Sequence, residues 1–150
     1  MDKNISTDAK RSYIMSRVKQ KDTRIEVLLR SRLHRLGFRY RKNCSTLPGS
    51  PDISLPKYNA ALFVHGCFWH GHDGCKKGNR PKTRVDYWLP KIEDNKRRDL
   101  KRIKELRKMQ WRVAVIWQCS LDDNKKIEST IQRLADWIIH RNSKSKIVEF

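Results

Sequence analysis

The spacing of hydrophobic positions changes several times along the chain, and each change marks an element. Thr23-Arg24-Ile25-Glu26 has the capping-box form, in which a threonine hydroxyl and a glutamate carboxylate satisfy free amides at a helix start. Ile25, Leu28, Leu29, Leu33 and Leu36 then recur at helical spacing. A helix is predicted from about Arg24 to Leu36, with these side chains in the core and Gly37 as its left-handed stop. Phe38-Arg39-Tyr40-Arg41 alternates aromatic with basic residues, the pattern of a strand with one covered face. After the turn-rich Leu47-Pro48-Gly49-Ser50-Pro51, a strand begins at Asp52-Ile53-Ser54-Leu55 and turns at Pro56-Lys57-Tyr58-Asn59. The uniformly apolar Ala60-Ala61-Leu62-Phe63-Val64 suits a central strand. Antiparallel pairing across that short turn brings Asp52 and His65 to one end of the sheet.

A polar connection, Lys76 to Lys82, leads into a long helical stretch interrupted at Pro90, with Leu100, Ile103, Leu106 and Met109 as its apolar face. Trp111-Arg112-Val113-Ala114-Val115-Ile116-Trp117 is a second strong strand, ending at Gln118-Cys119. A last helix, from about Asp123 to His140, buries Ile127, Ile131, Leu134, Ala135 and Ile138, and residues 141–150 read as a loose tail. The sum is an α/β fold, a mixed sheet flanked by helices, in one domain spanning 1–150.

Charge changes the picture from fold to partner. Thirty-five basic against 16 acidic residues give a net charge of +19, with only 37% of positions hydrophobic. Nucleic acid is the natural partner of so cationic a surface, with acidic lipid or a ribosomal site as the other reading. Residues 1–22 form a basic amino-terminal segment. Within it, Lys10 to Val18 reads as a short helix with Tyr13, Ile14, Met15 and Val18 as apolar members, either packed on the body or reaching DNA as an arm. No apolar run approaches the roughly 20 residues that cross a bilayer, and no signal peptide opens the chain, so a cytoplasmic or nucleoid-associated monomer is expected.

The chemistry concentrates in residues 62–75, which hold three of the five histidines and two of the four cysteines. In a reducing compartment these cysteines read as metal ligands or buried thiols rather than disulfides. Cys67, His72 and Cys75, joined by Cys119 from the end of the later strand, would complete a closed zinc site of three thiolates and one imidazole. Three buried cysteines and an unrelated histidine is the alternative. That leaves His65, His70 and Asp52. A hard carboxylate can hold magnesium against a phosphate while an imidazole moves a proton, the parts needed for phosphodiester cleavage. Each of the three also has an ordinary reading, as a turn cap or a satisfied core histidine. Glu26 is already explained by the capping box.

Leu47-Pro48-Gly49-Ser50-Pro51-Asp52, then Val64-His65-Gly66-Cys67-Phe68-Trp69-His70, then Val115-Ile116-Trp117-Gln118-Cys119 together resemble the very-short-patch repair (Vsr) DNA mismatch endonuclease family, over nearly the whole chain. The resemblance implies a restriction-endonuclease-like fold and a magnesium-dependent nick in one strand. The implied substrate is duplex DNA with a T:G mismatch left by deamination of 5-methylcytosine, cut on the 5′ side of the thymine. Mismatch-repair proteins are the implied protein partners. By position, Asp52 and the backbone carbonyl of Val64 match the magnesium ligands, His70 the residue of proton transfer and His65 its support. Glu26 matches an acidic residue near the site. Cys67, His72, Cys75 and Cys119 match the structural zinc ligands. Phe68, Trp69 and Trp88 match aromatics that wedge beside the mismatch, and Met15 and Val18 match apolar residues of the amino-terminal helix. Two departures stand out: Val64 replaces the more usual threonine, and the loop from His70 to Cys75 is one residue longer.

Overall fold

The computed structural model describes residues 22–78, 81–142 and 144–150. The expected basic arm, with Met15 and Val18, lies outside the described residues. Helix α1 spans Arg24–Arg35. Thr23 caps it, its Oγ1 accepting from the Glu26 N–H at 3.3 Å. The Glu26 carboxylate reaches one residue further back than a capping box requires, accepting from the Asp22 N–H at 3.0 Å. Leu29 and Leu33 are fully buried, but Leu36 is 54% exposed, contrary to expectation. It falls at the helix end, where the chain has already begun to turn away through Gly37 at φ +88°.

The next expected strand is largely absent. Phe38 donates its N–H to the Leu33 carbonyl at 3.1 Å, closing the end of α1, and its ring goes into the core against Tyr58. Pairing therefore starts late, and β1 is only Arg41–Lys42. It runs antiparallel to β2 (Ile53–Leu55), which runs antiparallel to β3 (Ala60–His65), with Ile53 opposite Leu62. A single 3-10 turn, Pro56–Tyr58, followed by a left-handed Asn59 makes the hairpin.

Helix α2 (Val85–Lys108) carries the chain across to β4 (Arg112–Trp117), which is parallel to β3, pairing Ala60 with Arg112 and His65 with Trp117. Pro90 does not interrupt α2. Its missing N–H orphans only the carbonyl of Asp86, and both residues are exposed, so water can take that bond. The apolar face is also shorter than expected: Leu106 is buried and Ile103 packs on the sheet, whereas Leu100 and Met109 are 60% and 50% exposed. A helix of 24 residues is roughly 36 Å long and overhangs six-residue strands of about 20 Å.

Helix α3 (Asn124–Ile139) is capped by Asp123 and buries Ile127, Ile131, Leu134, Ala135 and Ile138 as its periodicity predicts. The tail is not loose. Ile147–Glu149 forms β5, parallel to β4, and Phe150 exchanges backbone bonds of 2.9 Å with Val115 and Trp117. Without it the apolar β4 would be a bare edge. The sheet order is β1-β2-β3-β4-β5. Ala60, Leu62, Ala114 and Ile116 pack toward α1 and α3, and Ala61, Phe63 and Val113 pack toward α2, so the two central strands are covered on both faces.

Candidate active site and metal centre

Residues expected to do chemistry converge where β3 and β4 end. Asp52, just before β2, accepts a 2.7 Å bond on Oδ2 from the Val64 N–H. A strand residue presents its N–H and C=O to the same side, so the Val64 carbonyl opens toward Asp52 as well. Burial raises the Asp52 carboxyl to about 6. The Val64 N–H opposes that rise, the Glu26 carboxylate adds to it, and a protonated His70 and Arg30 oppose it. A buried carboxylate under this strain is a fitting oxygen ligand for a divalent cation.

His65 ends β3, 6% exposed, with its ring edge-on to Trp117. Burial, with His70 acting in the same direction, takes its pKa down to about 3, so it is neutral at any working pH. The His70 ring stacks flat on it, centroids 3.8 Å apart and planes 3° apart. His70 Nδ1 lies 2.6 Å from Oδ2 of Asp99 on α2. A neutral His70 donating from Nδ1 carries its lone pair on Nε2, the tautomer of an oriented base. The nitrogens of His65 and His70 and the Asp99 carboxylate are close enough to suggest a metal. Stacked rings, however, direct their in-plane lone pairs in parallel, so the trio is better built to move a proton.

Glu26 is buried at 4% exposure and belongs to this neighbourhood, since its charge acts on Asp52. Arg30, one turn along α1, is 5% exposed. It pairs with Asp22 at 2.7 Å and lies 4.0 Å from Glu26, while its Nη1 is buried with no hydrogen-bond partner. Neither Arg30 nor Asp99 emerges from the sequence reading. Asp99 had a visible sign, an acid inside the cationic run Lys96-Arg97-Arg98-Asp99-Leu100-Lys101-Arg102. Arg30 had none, because helical spacing puts charge at that position without saying it is buried.

The loop after β3 folds back into a second cluster. The Sγ atoms of Cys67, Cys75 and Cys119 and a ring nitrogen of His72 lie within 4.8 Å of one another. His72 stacks on Trp117 at 4.1 Å, and its Nδ1 is 3.5 Å from Cys119 Sγ. Asp73 is outside the cluster, its side chain 95% exposed beside Lys96. Gly78 lets the loop close, because a Cβ there would overlap the His72 carbonyl. Burial raises the Cys67 thiol, and burial with its two thiol neighbours pushes Cys119 up to about 12. On Cys75 burial also acts upward but is outweighed by the amides of Gly78 and Lys77 and by the His72 ring, bringing it to about 7. Three crowded thiols ionise together only around a cation, and three sulfurs with one imidazole are a zinc donor set. Cys44 stands apart, beside Thr46.

A cavity of about 340 Å³ separates the two clusters, lined by His65, His70, Lys96, Asp99, Trp117 and, from the supposed tail, Glu149. The loop after β3 and the start of α2 also gather aromatics. Phe68, Trp69 and Trp88 pack edge to face with centroids 5.5 to 5.7 Å apart. Trp88 is 7% exposed and backs the group, whereas Tyr87 is 43% exposed between Arg84 and Lys91. Asn95 pins the loop by donating to the Trp69 carbonyl at 2.9 Å.

The sequence is similar to those of known DNA endonucleases. Residues 3–77 match the family model described as DNA mismatch endonuclease Vsr. The chain is 49% identical to the type II nicking enzyme V.XorIIP of Xanthomonas oryzae pv. oryzae, over 85% of this chain and 93% of that one. It is 45% identical to the type II nicking enzyme V.NmeAIP of Neisseria meningitidis, over 87% and 93%. It is 36% identical to the DNA mismatch endonuclease Vsr of Escherichia coli, over 96% and 93%. With the matched sequence containing Asp52, both stacked histidines and three of the four cluster ligands, the chain belongs to the Vsr family of DNA mismatch endonucleases.

Proposed function

We propose that this endonuclease nicks one strand of duplex DNA on the 5′ side of the thymine of a T:G mismatch, the product of 5-methylcytosine deamination, and so starts very-short-patch repair. The observation that carries this reading is the convergence of a buried carboxylate, Asp52, with a histidine oriented by a second carboxylate, Asp99. Asp52 and the Val64 carbonyl would hold magnesium, which when bound stabilises charge on the scissile phosphate. His70 accepts the proton of the attacking water at Nε2, and Asp99 stabilises the imidazolium that forms. His65, neutral and flat against it, fixes the ring plane and keeps a second positive charge away. Glu26 acts on the site through its field on Asp52. The Cys67, His72, Cys75 and Cys119 cluster would hold structural zinc and fix the loop that carries His70.

Phe68 and Trp69, backed by Trp88, are the wedge. A mismatched step is cheaper to unstack than a paired one, and stacking on aromatic rings recovers about 1 to 3 kcal/mol per base. Phosphate contacts from the cationic surface add affinity that falls steeply with salt. The test is a strand-resolved nicking assay with magnesium across every mismatch in varied flanking sequence. A T:G duplex should be cut in the thymine strand alone. Equally fast cutting of both strands of a paired duplex would overturn the reading in favour of restriction.

A further inference from the structure

At the opposite pole, where β3 and β4 begin, a cavity of about 270 Å³ is lined by Arg107, Arg112, Arg141 and Lys146 together with Tyr58 and Gln110. No carboxylate is among its described lining residues. Some described cations elsewhere meet acids: Arg97 pairs with Asp94, Lys77 with Asp122 and Arg32 with Glu128. Here they meet carbonyls instead. Arg112, only 4% exposed, donates to the carbonyls of Trp137 at 2.7 Å, Ile138 at 2.8 Å and Tyr58 at 3.2 Å. Arg107 donates to Trp111 at 2.7 Å, Lys146 to the Arg141 carbonyl at 3.0 Å, and Arg141 to Lys57 while lying over the Tyr58 ring.

Carbonyl bonds orient these groups without cancelling their charge, and the guanidinium groups of Arg107 and Arg141, each with five N–H donors and one such bond described, keep several donors for a ligand, while Arg112 adds its charge from behind. Burial of Arg112 opposes its charge, and the neighbouring Arg141 adds to that opposition. Oriented cationic donors of this kind recognise an oxyanion. We propose that this cavity is a preorganised oxyanion site for a phosphate-class ligand, distinct from the scissile phosphate. Register separates the two sites: Arg112 and Trp117 lie at opposite ends of β4, about 16 Å apart.

The probe is pyrophosphate, titrated calorimetrically into the full-length protein. Wild type should bind one equivalent, and Arg141→Gln/Lys146→Gln should bind about tenfold more weakly, the scale of a lost charge-assisted contact. Lys125→Gln/Lys126→Gln removes equal charge from the exposed start of α3 and should change little. Equal losses in the two variants, or no saturable binding by wild type, would overturn the proposal. Lys146→Gln alone gives up one described bond and keeps the comparison readable if the double variant melts early. The phosphate source is read by saturating the protein with one mismatched duplex and adding a second, labelled and fully paired. Capture by wild type but not by the double variant assigns a DNA backbone phosphate. Capture by neither assigns a free oxyanion. Nicking of the T:G duplex should be unchanged in both variants.

Discussion

His70 and Asp99 meet across 29 residues of sequence, Nδ1 to Oδ2 at 2.6 Å, joining the loop after β3 to the middle of α2. The carboxylate fixes the ring's tautomer and plane, so in the proposed reaction it acts through His70. In Asp99→Asn the amide can donate to Nδ1 and force the proton onto Nε2, where the lone pair is needed. The nicking rate should fall by roughly a hundredfold or more with mismatch binding retained. Single-turnover kinetics alongside gel-shift affinity separates the two, and loss of binding equal to the loss of rate would show Asp99 to be merely structural.

Asp52 is held at a cost in stability. Its carboxyl is raised from 3.8 to about 6, chiefly by burial. Between those values the folded state binds the extra proton, so stability declines as pH rises from about 4 to 6 and stays lower above. The penalty at pH 7 is about 3 kcal/mol in order of magnitude. Asp52→Asn keeps an oxygen for the Val64 N–H and should abolish nicking while raising the melting temperature in magnesium-free buffer at pH 7. That gain should vanish by pH 4. A variant no more stable than wild type at pH 7 would contradict this account of the site.

Much of this was legible in the sequence because it rests on local rules. The capping threonine, Gly37, the Pro56–Asn59 turn and the apolar β3 and β4 runs are each set by residues within a few positions of one another. The gathering of Cys67, His72, Cys75 and Cys119 was also legible, since sulfur and imidazole side chains are rare enough to be noticed apart. What the sequence hid depends on distance. Phe38 looked like strand until the end of α1 claimed its amide. Ile147 and Val148 are β-branched neighbours, but only the open edge of β4 makes them a strand. Asp99 and Arg30 carry ordinary helix-surface charges, and their roles exist only once α1 and α2 pack beside β3.

Arg30 is a buried cation beside Glu26 and Asp22, with one nitrogen unpaired. Replacing it with methionine leaves Glu26 buried without its neighbour and should destabilise the protein by roughly 1 to 3 kcal/mol. Glu26→Gln in the same chain should recover part of that loss, because the uncompensated charge goes too. Urea denaturation of the four members of this cycle measures the coupling, expected at about 0.5 kcal/mol or more. Additive effects would show that the two charges do not interact.

The Cys67, His72, Cys75 and Cys119 cluster should contain one zinc per chain, measurable by elemental analysis of protein purified without added metal. Cys119→Ser substitutes a poorer ligand on the one element outside the loop, and zinc content should fall well below one. Structural zinc supplies of order 10 kcal/mol to folding, so the melting temperature should drop sharply. Nicking per folded molecule should suffer less than in Asp99→Asn. Wild-type protein purified without zinc, yet folded, would refute the assignment.

Trp69 combines two roles that substitution can separate. Its carbonyl is held by Asn95 and its ring packs on Phe68 and Trp88, so the loop position depends on the backbone and the proposed contact with DNA on the ring. Trp69→Ala keeps the first and removes the second. Loss of about 1 to 3 kcal/mol of stacking should weaken mismatch binding roughly 5- to 150-fold, with little change on a paired duplex where no step opens. Trp88→Ala is different, because Trp88 is buried behind the other rings. It should lower both stability and mismatch affinity. Fluorescence anisotropy on mismatched and paired duplexes, with melting curves for each variant, distinguishes them. If Trp69→Ala weakened binding to both duplexes equally, the ring would be a general DNA contact and the wedge would have to be sought at the exposed Tyr87.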